Sequence, residues 1–428
     1  MAEPRDRDDV PQTRNILSPF LTRVALVLLL AIGATSFVTL LSDALSPSFI
    51  LGDFVQDYVS ARAWNDGEDP YGSVVALRER YVNEPGEIFP GITRNPHPPP
   101  RIAMFRPLAA LPYRTARVIW FCLGAMAIAT AVTLVFRHVG VRRDWALAMG
   151  LASLALPAAQ TELRLGHIGG LLLLLIVGTW VASRREKGLR AAMYLAVAGA
   201  LAWFPLFLIL PLIRSRKRSV AAIAVLGTGI LYVTVSIAMG RNTIGRYLST
   251  IGPDQAKAWI PDPQNISLTA VPLRWLRETF WRPEALNLPH LAVALAVTII
   301  ALSVFAALTT PAKRSGDIFL ASLPLMILAS PISWPHYQLL LLPFVIIVAK
   351  NHLPLAALAR TPLILVSIAI VMIARLPFLV SVYPTSPLEG VLGWALPTYA
   401  ILALAIAEWK VIAVPGDARP RNSSPVTR

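Results

Sequence analysis

Apolar runs of roughly 17 to 25 residues recur along this chain between short clusters of Arg and Lys, and each is long enough to cross about 30 Å of hydrocarbon as a helix. Period-two alternation is absent from them, which argues against a membrane β-barrel. The runs are Ile16 to Leu41, Val118 to Phe136, Trp145 to Ala159, Ile168 to Ala182, Val220 to Met239, Leu288 to Leu308, Ile318 to Ala329, Leu339 to Ala349, Leu363 to Val380 and Gly390 to Ala413. The stretch between Arg190 and Arg214 differs: it is short, interrupted by Pro205 and basic at both ends. A single span there would put the cluster from Arg214 to Arg218 on the wrong side for the positive-inside bias. Two half-helices entering and leaving on the cytoplasmic side satisfy it. The pattern predicts an all-α polytopic membrane protein with about 12 membrane segments, bounded at about 10 and 13.

Two polar segments break the apolar pattern. Residues 43–117 are too polar for lipid and rich in Pro, which predicts an extracytoplasmic loop carrying short interfacial helices; a loop this long is uncommon without a function. Residues 240–286 form a second outer loop, in which Pro253, Pro261, Pro263 and Pro272 argue against long helices. One integrated membrane domain, residues 16–413, is expected between a cytoplasmic N-terminal tail, 1–15, and a basic, disordered cytoplasmic tail, 414–428.

Composition narrows the class. With 55 % hydrophobic and 15 % charged residues among 428, the apolar surface exceeds what one soluble core can hide. The net charge of +15 raises the question of nucleic acid. Its Lys and Arg, however, collect at the expected cytoplasmic ends of the spans, including Arg142, Arg143, Arg184, Arg185 and Lys217. That is a topology signal for a multi-pass inner (plasma) membrane protein, and no basic face remains for a phosphate backbone. The one cysteine, Cys122, excludes an internal disulfide or a thiolate metal site.

Four constellations fall on the predicted outer side. Asp53 and Asp57, four apart, share one face if helical. A carboxylate near lipid is costly unless paired or functional, although Asp53 could equally cap a helix. Asp57, one turn on, is placed to bind acceptor hydroxyls or simply to face water. His97 and Arg101 lie in the proline run of Asn95 to Pro112, which reads as extended or turn, either a rigid loop or part of a site. His336 sits between Pro331 and Pro335, as an interface residue or as a donor to an anion. Asn265 and Arg274 share one stretch, and the Arg274 fork suits a phosphate. Together a carboxylate, Arg and His suit attack of a hydroxyl on a sugar whose leaving group is a lipid phosphate. The rival class is a transporter or flippase of lipid-linked precursors, since broken helices also mark transport sites.

The landmarks run in order: Asp53-Phe54 with Tyr58, Ala61 and Ala63; Gly67, Pro70 and Tyr71; the Pro-rich stretch with Trp120; Gly166-His167; Asn265 to Leu268 with Arg274; and Ser330 to His336. In these the chain resembles glycosyltransferase family 87, the polyprenyl-phosphate-mannose type of mannosyltransferase within the GT-C superfamily. The resemblance implies a GT-C-type fold and transfer of a hexose, mannose by family type, from a polyprenyl-phosphate donor to an extracytoplasmic glycan or glycolipid. It implies an inverting single displacement with Asp53 as base and no metal or other cofactor. Arg274, His336 and Arg101 would bind the donor phosphate, and Asp57, Tyr58, His97, His167 and Asn265 the substrates. Two departures stand out: His167 occupies a position where the family often has Gln, and Trp203-Phe204 precede Pro205 where members commonly carry Lys.

Overall fold

The computed structural model describes residues 19–46, 52–82, 93–240, 242–260, 262, 264–276, 288–309, 315–352 and 396–413. The expected span from Leu363 to Val380 and both tails lie outside them. Every regular element among the described residues is helical. In chain order these are α1 Pro19–Leu45, α2 Gly52–Asn65, α3 Val74–Tyr81, α4 Pro99–Ala109, α5 Tyr113–His138, α6 Arg143–Ala152, α7 Pro157–Leu165, α8 Gly169–Arg184 and α9 Gly188–Leu201. There follow α10 Ile209–Arg214, α11 Arg218–Met239, α12 Thr243–Arg246, α13 Gly252–Trp259, α14 Ala270–Leu276, α15 Pro289–Thr309, α16 Ser315–Ala329, α17 Leu342–His352 and α18 Leu396–Ala413.

Four of these helices are long and apolar enough to cross a membrane, α1, α5, α11 and α15, and the pair α7 and α8, bent by 119°, makes a fifth if counted as one span. The expectation of about twelve segments is therefore matched only in part, because many apolar runs form helices too short to cross alone. The long helices turn bare apolar side chains outward: Phe20 is 72 % exposed, Ile237 70 % and Phe305 64 %. In water such a belt would be untenable, whereas in lipid it costs nothing. Packing between the helices relies on close approach. At Gly33 a Cβ would lie 2.6 Å from the Leu151 carbonyl carbon, so only glycine lets α1 rest on α6.

The basic-flanked stretch between α8 and α11 folds as two half-helices. α9 runs inward between α8 and α11 and stops at Ala202; a 3₁₀ turn, Phe204–Leu208, then reverses the chain into α10. The Lys217 ammonium donates to the Ser183 carbonyl and lies 3.2 Å from Glu186 Oε1, so the hairpin's two basic ends meet on one face. Pro205 places the break, since its missing N–H and its ring cannot continue a helix.

Three local expectations need correction. Residues 160–167, the polar link between the runs that end at Ala159 and begin at Ile168, are expected from that spacing to form an outer turn; they mostly continue α7, which Gly166 ends in the left-handed conformation at φ 64°. The proline run before Arg101 starts a helix instead of preventing one: Pro99 and Pro100 occupy the first turn of α4, where no N–H is needed. In the second loop the chain stays helical from Thr243 to Trp259 through Pro253, because a π-turn at Tyr247–Ile251 widens the helix just before that proline.

Candidate active site

The short helices of the first loop do not float. Phe54 of α2 packs on Phe105 of α4, Tyr113 and Trp120, and the Tyr58 hydroxyl donates to the Leu111 carbonyl at 2.7 Å. This aromatic block docks α2 and α4 on the N-terminal part of α5. Trp120 Nε1 donates to the Gly166 carbonyl at 2.8 Å, which fixes the break between α7 and α8 against the same block. The consequence is a cavity of about 1080 Å³ bounded by α2, α4, the α7–α8 break, the hairpin tip at Ala202 to Phe207, α13 and the 3₁₀ turn Pro335–Leu341. That is the scale of a bound organic ligand.

Its polar floor centres on Arg101. The Asp57 carboxylate is fully buried and accepts from Arg101 Nε at 2.8 Å, while His97 Nδ1 lies 2.7 Å from its other oxygen. Asn95 Nδ2 bridges Asp57 Oδ1, the Ser60 hydroxyl and the Gln56 carbonyl, and its own Oδ1 accepts from the His97 amide. Burial opposes the Asp57 charge, but Arg101 and His97 outweigh it and hold the carboxyl well below the usual carboxylate range. The result is a clamp: Arg101 is only 2 % exposed, tied through Nε, with Nη1 3.2 Å from His167 Nε2 and Nη2 without a hydrogen-bond partner.

Around that guanidinium, His167 comes from the α7–α8 break and His336 from the 3₁₀ turn, with ring centroids 4.8 Å apart. The Tyr337 hydroxyl lies 3.4 Å from His167 Nε2, and His336 Nε2 is buried without a partner. Asp53, half-buried in the first turn of α2, completes the group, with Gln56 donating to its Oδ1 at 3.3 Å. Asp53 is thus inside the helix start, not flanking it, a position where a carboxylate meets the positive end of the helix dipole. One ligand atom each from Asp53, His167 and His336 lies within 4.8 Å of the others.

Much of the rest of the wall is apolar or aromatic, with Arg164, Gln255 and Asp262 among its polar members. Trp203 packs tilted against Tyr232 at 4.6 Å, Phe204 stacks on Tyr337 at 5.0 Å, and Trp259 meets Trp334 edge-on at 5.7 Å. The hairpin tip therefore brings rings, and no cation, to the cavity.

Of the residues singled out from sequence, Asp53, His97, Arg101, His167 and His336 line this cavity. Four others do not. Asp57 neither faces water nor reaches the cavity; it is the counter-charge beneath Arg101. Tyr58 spends its hydroxyl on a backbone carbonyl. Asn265 is a buried tie: its Nδ2 donates to the Ile260 and Pro331 carbonyls and its Oδ1 accepts from the Ser267 and Ser333 amides. Arg274 is buried near Asp262 and Tyr399, off the cavity wall. Sequence reasoning missed Glu162 and Tyr337. Glu162 is fully buried, with Oε1 3.5 Å from His167 Nδ1 and accepting from the Gly170 amide at 3.2 Å. Its signal was the one acid, two residues from Arg164, in the short polar link between two apolar runs, five residues before His167.

No curated protein matches the chain. The family model of glycosyltransferase family 87 matches residues 96–331, more than half of the 428; the match takes in His97, Arg101, His167, Asn265 and Arg274, and leaves Asp53, Asp57, Tyr58 and His336 outside its bounds. That match decides the class against a transporter: the chain belongs to glycosyltransferase family 87 and is a membrane glycosyltransferase.

Proposed function

We propose that this enzyme transfers a hexose, mannose by family type, from a polyprenyl-phosphate donor to an extracytoplasmic glycan or glycolipid acceptor, at the outer face of the plasma membrane. The observation that carries this reading is the pairing, in one cavity, of an aromatic wall and the clamped guanidinium of Arg101 with its unpartnered Nη2. An isoprenoid chain suits the rings and a phosphate suits the fork.

In this reaction the acceptor oxygen attacks the anomeric carbon from the face opposite the phosphate, so the configuration inverts. Its proton passes to Asp53, the new glycosidic bond forms, and the bond from the anomeric carbon to the phosphate oxygen breaks. Arg101, with His336 beside it, takes up the charge that grows on the departing lipid phosphate, an arrangement worth roughly 3 kcal/mol per preorganised donor. Asp57 and Asn95 act one step removed, holding Arg101 and His97 in place.

Membranes or nanodiscs carrying the protein, given radiolabelled polyprenyl-phosphate hexose and an acceptor extract, test the reading. Product should appear with wild type and fall about a hundredfold or more with Asp53→Asn, in a variant whose thermal unfolding is unchanged. Transfer from a nucleotide sugar instead, or near-normal turnover in that variant, would overturn it.

A further inference from the structure

We propose that a second, polar cavity beside the first binds those sugar units of a neutral oligosaccharide acceptor that lie beyond the unit being glycosylated. Its part in acceptor choice rests on the glycan reading above, whereas the pocket itself rests on side chains that the proposed chemistry does not use. The consequence is an acceptor of at least two sugar units.

The second cavity measures about 530 Å³, within the range of small-ligand sites. It is walled by the turn after α2, by Thr93 and Arg94, and by the segment that runs from α12 into α13. Two partitions separate it from the catalytic cavity. One is α13: Gln255 lines both cavities, with Asp254 facing the second and Ala256 and Trp259 the first. The other is the chain that leads to α4, where Arg94 lines the second cavity and His97 the first. Two phenols pin that chain: the Tyr71 hydroxyl donates to the His97 carbonyl at 2.8 Å and the Tyr247 hydroxyl to the Pro96 carbonyl at 3.3 Å. A glycan with its reacting unit in the catalytic cavity therefore places its next units across Gln255, in a pocket already formed.

Its walls are held in place by contacts of their own. Asp69 accepts from the Tyr71 amide at 2.9 Å through Oδ1 and from Arg246 Nη1 at 2.7 Å through Oδ2, and Arg246 Nη2 donates to the Tyr71 carbonyl at 3.3 Å. Over the eight steps from Arg246 to Asp254 an ideal α-helix would turn the two side chains about 80° apart. The π-turn Tyr247–Ile251 lies between them and takes about one more residue per turn, which brings both onto the face that lines the cavity. The same turn that carries the helix to Pro253 thus sets a cation and a carboxylate on one wall.

The groups left free are those that recognise sugars. Asp254 and Arg94 are exposed and, among the described residues, make no hydrogen bond or ion pair. Trp259 Nε1 can only donate, and it meets Gln255 Oε1 at 2.6 Å, so the amide is oriented and its two N–H groups are unused among the described residues. A carboxylate that accepts, with a guanidinium and an amide that donate, matches the neighbouring hydroxyls of a hexose. Charge decides against other ligands. The charged lining residues are Asp69 and Asp254 against Arg94 and Arg246, a balance that favours an uncharged ligand over a phosphate. Tyr71 and Ile251 supply the apolar surface, too little for an isoprenoid chain.

The test uses the full-length protein in nanodiscs and a panel of neutral linear oligosaccharides of mannose, glucose and galactose, from the single unit upward, with inorganic phosphate as the anionic probe. Binding is read by intrinsic tryptophan fluorescence and by competition against transfer to the acceptor extract. In at least one series the longer sugars should bind about tenfold or more tighter than the single unit. Asp254→Ala and Arg94→Ala should each weaken the longer sugars about tenfold, with donor KM as in wild type. Both side chains are exposed and unpaired among the described residues, so the variants should fold, and thermal unfolding checks that they do. Absence of saturable binding across the panel, affinity independent of length, wild-type affinity in either folded variant, or binding of phosphate in preference to every sugar overturns the pocket. Transfer from polyprenyl-phosphate hexose alongside any of those results leaves the donor reading intact. Length-dependent binding that both variants weaken, in a protein that transfers nothing from that donor, does the reverse.

Discussion

Replacing Asp57 by Asn separates the clamp beneath the site from the chemistry within it. The substitution keeps shape but removes the charge that faces Arg101 Nε at 2.8 Å and His97 Nδ1 at 2.7 Å, both inside the fold. Arg101 is only 2 % exposed, so its guanidinium would be left nearly dry and without its counter-charge. Losing one partner of such a buried pair costs about 3 to 5 kcal/mol, mostly the penalty of the stranded ion. At roughly 2 °C per kcal/mol for a chain of this size, the unfolding midpoint should fall by about 6 °C or more. Intrinsic tryptophan fluorescence on heating in nanodiscs reads this directly, since the chain has 11 Trp. Asp57→Asn with Arg101→Gln should recover a good part of the loss, because the double variant buries no charge. The pH dependence has a fixed sign. The Asp57 carboxyl is depressed in the folded state, so its contribution is present above the ordinary value of 3.8 and is lost progressively as the pH falls below it. Wild type should therefore lose stability below about pH 4 more steeply than Asp57→Asn. An unfolding midpoint within 1 °C of wild type, with unchanged donor KM, would refute the idea that Asp57 holds Arg101.

Arg101→Ala should raise donor KM or lower kcat by on the order of a hundredfold, whereas Arg274→Ala, off the cavity wall, should change donor kinetics by less than about fivefold; the reverse ranking in steady-state assays would move the phosphate site. Gly169→Ala forces a Cβ within 2.6 Å of Glu162 Oε2 and should cost about 1 to 3 kcal/mol, seen as a lower midpoint on heating; an unchanged midpoint would mean Glu162 is not held as described. Single cysteines introduced at Trp259 and in the α9–α10 basic ends should label from opposite sides of sealed spheroplasts, and labelling of residue 259 only after permeabilisation would invert the topology on which the outer-face reaction depends.

The sequence by itself determined the solvent of this protein and much of its local order. Length and purity of the apolar runs select helices in lipid, because nothing else satisfies the backbone there. Matching basic flanks around Pro205 were enough to read the α9–α10 hairpin, since charge placement and a missing N–H are local properties. Proline misled where context reversed its effect: at α4 it starts a helix, and at Pro253 a π-turn absorbs it.

Which polar residues face one cavity is a different kind of question, and only the tertiary structure decided it. Asp53 and Asp57 look alike in the sequence, one turn apart, yet the docking of α2 on α4 puts one at the cavity and seals the other over Arg101. Asn265 and Arg274 share a stretch whose guanidinium was expected to meet a phosphate, yet both turn into the packing. Glu162 and Tyr337 carry no motif, and become neighbours of His167 because the α7–α8 break and the 3₁₀ turn at Pro335–Leu341 meet. The physical reason is that a span is chosen residue by residue against lipid, whereas a site depends on distances between helices remote in sequence, set by the aromatic packing and glycine contacts that no single segment contains.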